Sequence, residues 1–191
     1  MLLVALTIAA CGLAGPAATI LERIVRVESH GEPLALNVNG GFELVRRPRS
    51  QDEAVAMASW LLAHDYNFDA GLAQVNSANF ARLGLTAEAV FDPCTNLRAG
   101  LQVLLECQDR AVKRFGQGDR AETATLSCYN AGDFDRGLRN GYVAAVLGRG
   151  TFPGADSMPA QRREAQLAGR KGDVAALGMR TPDVFGQVAG Q

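Results

Sequence analysis

Four cysteines, Cys11, Cys94, Cys107 and Cys128, constrain what this chain can fold into more than any other feature. Their spacing matches no zinc-ligand pattern, so the question they pose is one of pairing. Cys94 and Cys107 stand thirteen positions apart, along a stretch whose Leu97, Leu101, Leu104 and Leu105 supply a helical apolar stripe. At about 1.5 Å per residue a continuous helix separates them by ~20 Å, whereas a disulfide needs Cα atoms within about 7 Å. Cys107 and Cys128, by contrast, lie equally far from a turn at residues 116–119. Antiparallel helices joined there bring these two face to face. The expected bonds are therefore Cys107 with Cys128 and Cys11 with Cys94, in an oxidising compartment such as the periplasm. The alternative is a cytosolic chain with buried free thiols.

A second constraint comes from residues 20–31, ILERIVRVESHG, where Ile20, Leu21, Ile24, Val25 and Val27 repeat with a helical rather than a strand period. Glu28 follows Ile24 by four and Leu21 by seven, so it shares their inward face. Gly31 is placed to end the helix in a left-handed cap, which leaves Glu28 in the last turn. The helix dipole there disfavours a negative charge, and partial burial adds to that, so both push the carboxyl pKa upward. A general acid near neutral pH needs that shift. The plainer alternative is a solvated Glu28 paired with Arg23 or Arg26.

With 191 residues the chain is long enough for one domain and a tail. A net charge of −1 gives no bulk attraction for nucleic acid or for an acidic substrate, so a substrate has to be inferred from a site. Residues 1–15 hold an apolar run too short to span a bilayer. It reads as a truncated export signal or as a buried first helix, and membrane contact is expected only through such a signal. Ile8-Ala9-Ala10-Cys11 also looks like a lipoprotein processing site, a reading that the predicted Cys11 disulfide opposes.

Across an Asn39-Gly40 turn, residues 32–45 alternate apolar and polar, which predicts a small β-hairpin or extended flap. Ser50 with Glu53 forms a capping pattern for a helix to about His64; Trp60 and Met57 extend its apolar face, with an exposed sugar platform as the alternative for Trp60. Residues 69–76 read as a structured loop entering a short helix capped by Ser77. Asp92-Pro93 stops the preceding turn, Thr95 or Asn96 caps the long helix to about Phe115, and Asp119 with Glu122 caps the next. A final helix surrounds residues 141–147. Beyond Gly148 the apolar period is lost, and residues 148–191 read as a flexible tail with one helix at 159–167. His30 and His64 lack organised carboxylates and make a poor metal site. Arg46, Arg47 and Arg49 form either a solvated loop or a contact for an anionic polymer or a secretion partner.

Several short stretches stand in a telling order: Glu28-Ser29 at a helix end, Gly71-Leu72-Ala73-Gln74-Val75-Asn76, Ala99-Gly100-Leu101, Tyr129-Asn130-Ala131-Gly132, and Tyr142-Val143-Ala144-Ala145-Val146. Together, over residues 16–147, they resemble the soluble lytic transglycosylases, whose fold is similar to that of goose-type lysozyme. The 37–41 flap, Asp65-Tyr66-Asn67-Phe68-Asp69 and the cysteines resemble the branch attached to type IV secretion and conjugation machines. Ala73 departs from the Met or Gly usual in the wider family, and Val75 from its Ile.

The resemblance implies a mainly α, α+β lysozyme-like domain and cleavage of the peptidoglycan β-1,4 MurNAc-GlcNAc bond with a 1,6-anhydro product. It further implies periplasmic partners in glycan strands and an envelope secretion complex, with no nucleic acid, cofactor or metal. Glu28 would serve as acid and then base. Ser29, Gln74, Asn76, Tyr129, Asn130 and Tyr142 are the expected substrate-binding residues. For Ser29 the alternative is a helix-end hydrogen bond, for Gln74 and Asn76 bonds within the loop, and for Tyr142 packing of the last helix. An ordinary glycosidase adds a second carboxylate. The candidates are Asp65, Asp69 and Asp92, with Asp69 nearest the probable site loop, and each reads first as a cap or turn residue. A lysozyme-like muramidase using water and a non-catalytic peptidoglycan-binding assembly factor are the competing functions.

Overall fold

The computed structural model describes residues 2–40, 43–44, 46–150 and 179–180. Helices α1 (Leu2–Ala10) and α2 (Pro16–Glu28) lead into strands β1 (Leu36–Val38) and β2 (Glu43–Leu44). Helix α3 (Gln51–Ala63), strands β3 (Phe68–Ala70) and β4 (Val75–Asn76) and the short α4 (Phe80–Leu83) follow. The next part is helical, with α5 (Pro93–Phe115), α6 (Asp119–Ala131), α7 (Arg136–Arg139) and α8 (Tyr142–Val146), before a last strand β5 (Met179–Arg180). The fold class is the mainly helical α+β one that the resemblance implies.

Both disulfides form as the helical spacing requires. Cys107 on α5 meets Cys128 on α6 with Cα atoms 5.7 Å apart, and Cys11 meets Cys94 at 5.1 Å. The first locks the α5–α6 hairpin; the second staples the end of α1 to the start of α5. Helix α1 packs on α2 and α5, burying Ile8 and Cys11 while Leu2, Leu3 and Leu6 stay exposed. Among the described residues no helix is long and apolar enough to cross a membrane.

Helix α2 starts at Pro16, where proline's missing N–H costs nothing, and its Leu21, Ile24 and Val25 are fully buried. These pack in one core with Leu61 of α3, Phe68 of β3, Leu97 and Leu104 of α5, Leu126 of α6 and Tyr142 of α8. The α3 capping pattern is realised, Ser50 Oγ accepting from Glu53 N–H at 3.2 Å. The pattern at Asp119 is not: Gly118 occupies the cap without a side-chain bond, and Asp119 is the first helical residue.

The strands pair differently from the sequence expectation. β1 pairs with β3 rather than across the Asn-Gly turn with β2, and β3 pairs with β4, giving an antiparallel sheet in the order β1-β3-β4. The hairpin of this sheet is thus residues 68–76, read above as a loop entering a helix. Gly71 does not break the segment; with φ of 77° it makes the turn. Strand β2 pairs instead with β5. Helix α5 also begins earlier than expected, because Pro93 is its first residue and Asp92 its cap, accepting from Thr95 N–H at 2.8 Å. Asp92-Pro93 therefore starts a helix, and Asn96 lies inside it. The tail expectation and its helix at 159–167 fall almost wholly outside the described residues.

Candidate active site

Glu28 is the last residue of α2, and the chain turns sharply after it, His30 and Gly31 both adopting positive φ. Ser29 joins this turn to the β3–β4 hairpin. Its Oγ donates to the Leu72 carbonyl at 2.7 Å and accepts from Gly31 N–H at 3.1 Å, and the residue is only 3% exposed.

The hairpin loop is held from several sides. Asn96, 1% exposed on α5, accepts from Ala73 N–H at 2.7 Å and donates to the carbonyls of Ala70 and Val90, each at 2.9 Å. It fits only because Gly71 has no side chain, since a Cβ there would lie 2.2 Å from Asn96 Nδ2. Gln74 holds φ of 46°, unusual for a residue with a Cβ. Its side-chain nitrogen donates to the carbonyls of Ala35 at 3.2 Å and Gly71 at 2.8 Å, and its oxygen accepts from Asn37 at 2.6 Å. Tyr129, on α6 beside Cys128, donates its hydroxyl to the Ala73 carbonyl at 2.7 Å. Gly100 opens the space for this contact, because a Cβ there would sit 2.5 Å from Ala73 Cβ and 3.1 Å from Tyr129 Oη.

Around Glu28 the structure gathers side chains from separate elements. Its carboxyl pKa is pushed up to about 8, mainly by burial. A hydrogen bond from the Tyr142 hydroxyl on α8 works against that rise, and the charge of Asp69 on β3 adds to it. Burial and the neighbouring carboxylates hold Tyr129 and Tyr142 well above the usual phenol range, so both stay neutral. Asp69 is itself raised by burial, while the amides of Asn39 and Asn76 pull it back down. At neutral pH this leaves a protonated carboxyl at Glu28, with Asp69 held by two amides beside it and neutral phenols completing the wall. Such a pair divides acid and base roles by environment.

Of the residues expected from sequence, Glu28, Tyr129 and Tyr142 share this surrounding. Ser29 and Gln74 are buried and bonded to backbone of the loop. Asn76 binds Asp69 and Asn67. Asn130 accepts from Asn140 Nδ2 at 2.9 Å, tying the end of α6 to the residue after α7. Trp60 is stacked on His64 at 3.8 Å and on Tyr66 at 5.6 Å. Arg46 pairs with Glu53. Among the described residues no group of three or more His, Cys, Asp or Glu could hold a metal ion.

Sequence reasoning undervalued Asp69 and misplaced Asn96. The usable signal for Asp69 was the alternation Phe68-Asp69-Ala70, with Phe68 and Ala70 fully buried and Asp69 between them on the other face. For Asn96 it was Asp92-Pro93, read as cap and first helical residue.

Residues 11–145 match the family model described as Transglycosylase SLT domain. A type IV secretion system protein virB1 of Brucella abortus is 46% identical over 120 residues, 62% of this chain and 50% of that protein. Protein virB1 of Agrobacterium fabrum is 35% identical over 136 residues, 68% of this chain and 52% of that one. Protein virB1 of Rhizobium radiobacter is 32% identical over 130 residues, 68% and 54% of the two chains. This chain thus spans about half the length of the curated relatives it matches. No solved structure matches it.

Proposed function

Because the chain belongs to the transglycosylase SLT domain family, we propose that it is a murein lytic transglycosylase in which Glu28 acts twice in one cycle. The observation that carries this is the Glu28 carboxyl: half-buried at the end of α2, bonded by Tyr142, and protonated up to about pH 8. Protonated Glu28 gives its proton to the glycosidic oxygen, the bond from that oxygen to the anomeric carbon breaks, and the leaving sugar departs with a hydroxyl. The oxocarbenium-like centre left on MurNAc is then closed by that sugar's own C6 hydroxyl, whose proton returns to Glu28. The atoms balance without water, and a 1,6-anhydro ring results. The Tyr142 hydroxyl, which bonds the ionised form, stabilises Glu28 in the interval when it is a carboxylate. Asp69 contributes negative potential while the sugar carries positive charge.

The relatives support a setting for this activity. The likeness to a type IV secretion system protein virB1 supports a role for this chain in opening peptidoglycan locally for a type IV secretion or conjugation apparatus in the cell envelope. The disulfides support an oxidising location such as the periplasm. Gln74, Asn76 and Ser29 shape the loop beside Glu28 on which the glycan would lie, and Tyr129, Asn130 and Tyr142 contact the glycan or hold the groups that do.

A second reading, hydrolysis by water, has one observation in its favour: Asp69 lies close enough to act on Glu28, and paired carboxylates are what a muramidase uses. Digestion of purified sacculi followed by mass spectrometry separates the two. Anhydromuramic ends are expected, and reducing ends alone would show hydrolysis. Loss of digestion in Glu28→Gln is expected as well. Undiminished digestion by that variant would remove Glu28 from the chemistry, and a wild type that binds sacculi without cutting them would indicate a binding factor.

A further inference from the structure

A cluster of asparagine side chains surrounds Asp69 beside the site. The sheet register places Asn37, Asp69 and Asn76 in one row across β1, β3 and β4. Asn39 follows β1 and Asn67 precedes β3, joined by Asn39 N–H to the Asn67 carbonyl at 2.8 Å. Their side chains close a ring. Asn39 Nδ2 donates to Asp69 Oδ2 and to Asn67 Oδ1, each at 2.8 Å. Asn76 Nδ2 donates to Asp69 Oδ1 at 2.8 Å and to Asn67 Oδ1 at 2.9 Å. Asn67 Nδ2 returns a bond to Asn76 Oδ1 at 2.9 Å, and Asn76 Oδ1 also takes Ala78 N–H at 3.0 Å.

We propose that Asn39 and Asn76 are positioning residues whose amides, braced by Asn67, clamp both oxygens of Asp69 and hold it as an oriented carboxylate next to Glu28. The geometry selects the ionised form. Each amide spends one N–H on Asp69 and the other on Asn67. With an amide N–H already on each Asp69 oxygen, a carboxyl proton would compete with those donors for lone pairs, so the bonds favour the ionised form. Amide groups can donate here without carrying charge or giving up a proton. An arginine or lysine in their place would neutralise the field that Asp69 exerts on Glu28. The clamp thus solves a specific problem: burial favours a protonated Asp69, and a protonated Asp69 exerts no charge on its partner. This inference rests on the reading of Glu28 as the acid, but the state of Asp69 is measurable without any activity.

The ionisable groups in these surroundings are Glu28 on α2, Tyr129 on α6 and Tyr142 on α8. Both phenols remain neutral through the working range, so the pH profile is governed by the two carboxyls. In the wild type the acidic limb of kcat/KM reports ionisation of Asp69 and the alkaline limb reports loss of the Glu28 proton. Removing a clamping amide raises the Asp69 limb. With less charge on Asp69, Glu28 ionises more easily, and its limb falls. The bell narrows from both sides.

The test uses Asn39→Leu, together with Asn76→Ser, in which a hydroxyl can still cap Ala78 N–H but is too short to span to Asp69. Turnover of sacculi is measured against pH, alongside carboxyl-13C NMR titration of Glu28 and Asp69. We expect the acidic limb to rise by about one pH unit and the alkaline limb to fall by about half a unit, with the NMR titrations moving in the same directions. Asp69→Asn should abolish the acidic limb and lower the alkaline one. A flat loss of activity with both limbs and both titrations unmoved would assign the amides a merely structural role and overturn the proposal. If the wild type has no activity, the enzymatic reading fails, and the NMR titration of the folded variants still decides the clamp.

Discussion

Glu28→Gln should stabilise this protein, and by an amount that depends on pH. In the folded chain Glu28 titrates at about 8 instead of 4.5. At about 1.4 kcal/mol per pH unit, its ionised form is destabilised by at most ~5 kcal/mol relative to the unfolded chain. The direction follows from proton counting. Below pH 4.5 both states hold the proton and the group is neutral to stability. Between 4.5 and 8 the unfolded chain releases the proton while the folded chain keeps it, so stability falls as pH rises. Above 8 the loss is complete and constant. Glutamine keeps the shape and cannot ionise, so the variant lacks this slope. Relaxation and water entry lessen the upper bound, and about 2–4 kcal/mol is the expected gain at pH 8.5, against about zero at pH 4. For a chain of this size each kcal/mol moves Tm by about 2–4 °C. The assay is Tm for both proteins from pH 4 to 9 at constant ionic strength. Asp69 contributes its own slope to both and largely cancels in the difference. A Tm difference that stays constant over the range would refute the argument, because it would mean that Glu28 titrates alike in both states.

Three further outcomes follow from the packing around the loop. Asn96→Ala leaves Ala73 N–H and the Ala70 and Val90 carbonyls without their buried partner, which should cost about 3 kcal/mol in urea unfolding. Gly100→Ala drives a methyl toward Ala73 and Tyr129 Oη; a loss of about 1–3 kcal/mol is expected, with a fall in kcat measured on sacculi, since Tyr129 is bonded through that contact to the loop. Removing Cys107–Cys128 opens a link across 21 residues and removing Cys11–Cys94 one across 83. The expected losses are about 3 and about 4.5 kcal/mol, so in denaturant titrations the Cys11→Ser, Cys94→Ser pair should be the less stable of the two double variants.

How much of this was legible in the sequence depended on whether the deciding interaction was local. Helical period placed Leu21, Ile24 and Val25 in the core and Glu28 at the helix end, because those facts follow from spacing within about two turns of helix. The disulfides were legible for a similar reason: once α5 and α6 are helices, Cys107 and Cys128 can only meet across the turn. Asp69 was harder. Its neighbours Phe68 and Ala70 alternate with it, but the strand is short, and β1 had to be known as its partner before Asn37, Asp69 and Asn76 could be seen as one row. Residue spacing along the chain says nothing about which strand takes the middle position. Asn96 was obscured by chemistry that points two ways, since asparagine caps helices as readily as it satisfies buried backbone groups. Asp92 and Pro93 resolve it, being a better cap and a better first residue.

The local costs at the site and the long-range restraints around it belong to one arrangement. A carboxyl that is hard to ionise, a Gln74 backbone in a sparsely populated region and a tightly turned loop each weaken the folded state. None of them is held by the segment that contains it alone. Glu28 is bonded by Tyr142 of α8; the loop is pinned by Asn96 of α5 and Tyr129 of α6; and α5 and α6 are joined covalently at Cys107–Cys128, with Tyr129 the next residue. The second bond, Cys11–Cys94, fixes the start of α5 only two residues before Asn96. Each disulfide therefore lies within one or two residues of a side chain that restrains the loop. Loosening either one should affect the site before it unfolds the domain, with activity falling at denaturant concentrations where helix content is still intact. Loss of both signals together would mean that the covalent links serve overall stability alone.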